Sequence, residues 1–79
     1  MPTALTVGPY RFFFWSYHCT EPRHIHVKRE KMLAKFWLDP VILVTNNGFR
    51  ARELREIERI IVGNLELLRE VWDEHCNGA

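Results

Sequence analysis

The stretch AKFWLDPVILVTNNGFRARELREIERII, residues 34–61, decides the fold, because the apolar period changes inside it. Ala34–Leu38 (AKFWL) has the aromatic and apolar density of a strand, Asp39-Pro40 bends the chain, and Val41–Thr45 continues extended. Asn46-Asn47-Gly48 is composed as a turn. After Phe49 the spacing becomes helical. Leu54, Ile57, Ile61, Leu65, Leu68 and Trp72 recur at steps of three and four, with Ile60, Leu67 and Val71 as a second row beside them. The two rows cover roughly 160° of arc, wider than the common stripe of ~100°. This pattern predicts one long amphipathic helix over about 50–75, ~39 Å long at 1.5 Å per residue. A strand of eight residues spans only ~27 Å, so the end of that helix is expected to overhang its sheet. Leu67, Val71 and Trp72 are then the side chains left for a second chain. Gly63 lies inside the helix at a cost of about 1 kcal/mol relative to alanine.

Upstream of this stretch the chain reads as further strands. Ala4–Val7 is a short one, ended by the turn pair Gly8-Pro9. Tyr10–Tyr17 (YRFFFWSY) places Phe12 and Phe14 on one face and Phe13 and Trp15 on the other, as expected of a central strand covered on both faces. His18–Arg23 reads as a loop, and His24–Lys28 alternates like a half-buried strand. The expected architecture is α+β: a small antiparallel sheet of four to five strands over about 4–45, then the helix. Phe12, Phe14, Trp37, Leu54, Ile57, Ile61, Leu65 and Leu68 are its expected core. With 79 residues, 47% of them apolar and 27% charged, the chain makes one globular domain, 1–79, and is too apolar for disorder. Its longest apolar runs, Phe12–Trp15 and Val41–Val44, are far too short to span a bilayer. Two cysteines, Cys19 and Cys76, near opposite ends of the chain and without a secretory leader pattern, suggest reduced thiols and a cytoplasmic setting.

Charge is segregated. Residues 1–55 have nine Lys/Arg against four Asp/Glu, and residues 56–79 have two against six. Arginines at a helix start oppose the macrodipole but concentrate positive potential. Lys28, Arg29, Arg50, Arg52 and Arg55 are therefore candidates for binding an anion or nucleic acid, with Lys31 and Lys35 able to extend the field. Alternatively, Glu53, Glu56 and Glu58 neutralise a merely solvated face.

Glu21–Val27 (EPRHIHV) sets His24 and His26 two residues apart on one strand face. Such a pair can perform acid–base chemistry on a phosphodiester, or ligate a metal together with His18, Cys19 or Glu21. It can also be structural, donating Nδ1–H to a loop carbonyl. The Cys/His spacing lacks the four ligands of a structural zinc site, so no metal or cofactor is expected to hold the fold together.

These residues together, YRFFFWS, EPRHIHV, AKFWLDPV and NNGFRARELREIERI, resemble the small bacterial domain-of-unknown-function family 4160 over nearly the whole chain. The family's motif is usually PPHxHV; here Arg23 replaces the second proline, which implies a freer loop with an added cation. A small or capping residue is expected where Arg50 stands, since a serine there would form a capping box with Glu53. The resemblance implies a few antiparallel strands and a C-terminal helix. It also implies genes arranged in two-gene modules similar to toxin–antitoxin pairs. Three functional expectations follow. The first is a partner-binding component, as a homodimer or with a cognate small protein. The second is an RNA-directed, toxin-like protein acting through His24 and His26, and the third is a zinc-binding protein.

Overall fold

A computed structural model of the chain describes residues 3–15 and 19–77. Five strands, β1 (Thr3–Val7), β2 (Tyr10–Phe13), β3 (His24–Arg29), β4 (Met32–Leu38) and β5 (Val41–Asn47), form an antiparallel meander in chain order. Two helices follow, α1 (Ala51–Gly63) and α2 (Leu65–Asn77). The α+β class and the position of the change from sheet to helix match the sequence reading. The central strand is β3, not the aromatic segment, which pairs as β2 and leaves the ladder after Phe13. Residues 16–17, the end of that expected strand, and 18, the start of the expected loop, lie outside the described residues.

Strand alternation sorts the side chains into two layers. Phe12, Ile25, Val27, Ala34, Phe36 and Leu38 face the helices, joined by Phe14 just past β2. There they bury against Ile57 and Ile61 of α1 and Leu68 and Trp72 of α2. Of the expected core, Trp37, Leu54 and Leu65 are only partly buried. Trp37 lies on the opposite sheet face, where its register partner is His24.

The single long helix is corrected to two of 13 residues each. Gly63 is not an interior defect but the last residue of α1. The Asn64 amide donates to the Ile60 carbonyl at 2.8 Å, and its backbone N–H closes on Ile61 at 3.1 Å. Those bonds satisfy carbonyls that a helix end otherwise leaves open. Each helix is then ~20 Å long, comparable with a seven-residue strand. Trp72 packs edge-on against Phe14 at 5.5 Å and lies 4.7 Å from His24, so it belongs to the core and is no partner anchor. Leu67 remains exposed and Val71 half-buried.

A second correction concerns the cysteines. Cys19 and Cys76 form a disulfide across 57 residues, with Cα atoms 5.5 Å apart, because the end of α2 returns over the β2–β3 loop. The two cysteines are therefore not free thiols and do not point to a reducing compartment. Nor is that loop free: Arg23 donates two hydrogen bonds to Asp73 of α2, at 3.0 and 2.7 Å, and a third to Asp39 at 3.3 Å. Arg69 completes the network, its Nε 2.6 Å from Asp39.

Candidate functional site

β3 positions the histidine pair. His24 is fully buried and His26 nearly so. The His24 Nδ1–H donates to the Pro22 carbonyl at 2.9 Å, a bond that assigns the proton to Nδ1 because a carbonyl only accepts. Its ring lies among Trp72, His26 and Trp37, the last two at 5.3 and 5.9 Å. His26 stacks on Phe13 at 5.5 Å and meets Trp15 at 4.1 Å. Acid–base attack on a phosphodiester needs solvent access that this ring packing denies. The His24 bond to a loop carbonyl is the contact that the structural alternative names.

The metal reading is equally constrained. Cys19, as a disulfide sulfur, is no longer a thiolate ligand. His18 lies outside the described residues. Among the described residues no three His, Cys, Asp or Glu side chains gather at metal-holding distance.

The five anion candidates do not form one field. Arg29 reaches across to α1, where its Nε donates to Glu53 at 3.0 Å and its Nη2 bonds the same carboxylate oxygen. That hydrogen bond is the main reason the Glu53 carboxyl is held below its ordinary range, with the Arg50 backbone N–H as a further donor. Arg50 offers no side-chain cap, so only the Glu53 half of a capping box forms. Arg52 and Arg55 are exposed on α1 and, with Glu56 and Arg59, line a shallow depression of about 320 Å³. Lys28 lies elsewhere, on the sheet face away from the helices.

That face carries what the sequence reading missed. A cleft of about 420 Å³ is lined by Phe13, Trp15, Lys28, Lys31, Leu33 and Asn47, together with Glu30. Strand alternation signals it: Arg11, Phe13, His26, Lys28, Leu33 and Lys35 are the residues between those of the core. Also missed was β5, where Ile42, Leu43 and Val44 are 51, 39 and 37% exposed. The sequence marks Val41–Thr45 only as extended chain.

A meander closed on one face by two short helices, with rings and cations on its other face, defines the class of small α+β domain to which this chain conforms. The chain belongs to DUF4160, a domain of unknown function whose sequence profile matches residues 10–73, from the start of β2 well into α2. No curated protein and no solved structure matches it. No helix among the described residues is long and apolar enough to cross a membrane.

Proposed function

We propose that this chain is the partner-binding component of a two-gene module of the toxin–antitoxin kind, and that the partner adds a strand along β5. One observation carries the reading: β5 is an edge strand of seven uncharged residues with Ile42, Leu43 and Val44 exposed on it. Proteins ordinarily blunt such an edge with lysine, proline, short length or a covering element. Here the device present is a bulge, at Val44, where the register with β4 shifts. A strand docked on β5 pairs its backbone groups and meets side chains on both faces, Ile42 beside Trp37 and Leu43 beside Phe36. Burying the exposed half of each of these three residues favours association by about 1 kcal/mol apiece. The partner surface thus moves from the Leu67–Val71–Trp72 row to β5, with Leu67 and Val62 as a smaller exposed pair beside the helix break.

Sedimentation of the chain with the product of the neighbouring gene tests this. The expected result is a stoichiometric complex that Ile42→Lys with Val44→Lys weakens at least tenfold (about 1.4 kcal/mol) while circular dichroism is unchanged. A complex indifferent to those changes removes the reading. If the chain alone is a dimer that the double variant dissociates, β5 is assigned to self-pairing instead.

A further inference from the structure

The sheet face opposite the helices meets the β5 edge only at its rim, at Ile42 beside Trp37, and it has the composition of a binding surface of its own. In the register, Arg11, Lys28, Leu33 and Asn47 form one row across β2, β3, β4 and β5. The next row is Phe13, His26, Lys35 and Thr45. Two cations, Arg11 and Lys28, and the Asn47 amide therefore lie in the row beside the Phe13 and His26 rings. Trp15 stands next to them, 5.8 Å from Phe13, and is half-buried where it lines the cleft, while Phe13 is buried.

The charges there are not neutralised alike. Lys35 is bonded to Glu21 at 2.5 Å and lies over the Trp37 ring. Glu30 faces Arg29 at 3.6 Å. Among the described residues Arg11, Lys28 and Lys31 have no carboxylate in ion-pair reach. The Arg11 guanidinium lies over Phe13 at 5.1 Å, and its buried Nε has no hydrogen-bond acceptor among the described residues. Lys31 is brought to the cleft by a two-residue turn whose first residue, Glu30, has φ +55, a conformation costly for a residue with a β-carbon.

We infer that this cleft binds a nucleotide unit, with the base stacked on Trp15 and its phosphate held by Lys28 and Lys31. The cleft has the volume of a small-ligand site. A flat ring beside cations on one face of an antiparallel sheet is an arrangement by which proteins hold single-stranded nucleic acid, since every base has a π-face and every linkage a charge. Asn47 offers an amide donor and acceptor at the rim. The unit can come from a single RNA strand or from a free nucleotide.

Fluorescence anisotropy of a labelled twelve-residue oligouridylate, read at two salt concentrations, tests the site, with UMP and inorganic phosphate as competitors. Lys28→Glu with Lys31→Glu is expected to weaken binding more than tenfold and to lower the salt dependence, because each phosphate neutralised contributes to that slope. Trp15→Ala is expected to weaken it about tenfold with the slope retained, the behaviour of a lost stacking contact. Trp15→Phe, which keeps a ring, should recover most of the loss and separates stacking from folding. Competition by UMP at the affinity of the oligomer identifies the free nucleotide; binding that grows with strand length identifies the strand. No binding by the wild-type chain, binding unaffected by the lysine reversal, or binding lost only on Arg52→Glu with Arg55→Glu overturns the proposal. Because Trp15, Lys28 and Lys31 lie outside β5, the variants at these positions leave that edge unchanged, and failure at β5 and failure here are read separately.

Discussion

Glu53 accepts from the Arg29 guanidinium on β3 and from the Arg50 backbone N–H at the start of α1, and so joins sheet to helix. The Arg29 hydrogen bond is the larger cause of its depressed pKa. A carboxyl depressed in the folded state stabilises the fold above its ordinary pKa of about 4.3 and loses that contribution as pH falls through the folded value. Denaturation midpoints measured from pH 7 to pH 3 should therefore fall more steeply for the wild type than for Glu53→Gln, the two curves converging in acid. Parallel curves would show that Glu53 contributes no pH-dependent stability. Gly48 is a second decisive residue. Its φ is +103, and a β-carbon there would lie 2.8 Å from Met32 Cγ. Gly48→Ala should destabilise by about 1–2 kcal/mol through backbone strain and crowding. A change under 0.5 kcal/mol in urea would mean that the turn relaxes freely.

At the scale of elements, the joint between β5 and α1 is closed by one side chain. Asn46 donates its amide to the Phe49 carbonyl at 2.9 Å and accepts the Phe49 N–H at 3.0 Å. Asn46→Ala leaves both backbone groups without that partner and should cost about 1–3 kcal/mol; thermal unfolding within a degree of the wild type would contradict it. Strands and their turns were legible because Gly8-Pro9, Asp39-Pro40 and the residues before Gly48 punctuate period-two runs. The helix break was not. Ile61, Leu65, Leu68 and Trp72 keep steps of four, three and four across Asn64, so the apolar period continues through a joint that only Gly63-Asn64 marks. The histidines were legible as a same-face pair, and the bond of His24 to a loop carbonyl was one of the readings the motif allowed. Their burial was not legible, because Trp15, Trp37 and Trp72 come to them from three different segments.

For the whole molecule, long-range closures tie α2 to the rest. The disulfide joins residues 57 apart, and Arg23 and Arg69 bind α2 to both loops at the same end of the sheet. Those ion pairs are more than a third exposed, so each contributes about 0–1 kcal/mol. Closing a loop of that length restricts the unfolded chain by about 4 kcal/mol in the chain-entropy account. Reduction followed by alkylation should lower the guanidinium midpoint accordingly, and an unchanged midpoint would show that α2 needs no cross-link. With α2 fixed on one face, the β5 edge and the opposite face are the surfaces proposed for a partner strand and for a nucleotide. Hydrogen exchange along β5, in the free chain and in complex with the product of the neighbouring gene, tests the central claim most directly. Slowed exchange of the outward-facing amides of Val41–Asn47 on complex formation is the predicted result. A complex that leaves those amides exchanging as in the free chain, with protection elsewhere, would contradict it.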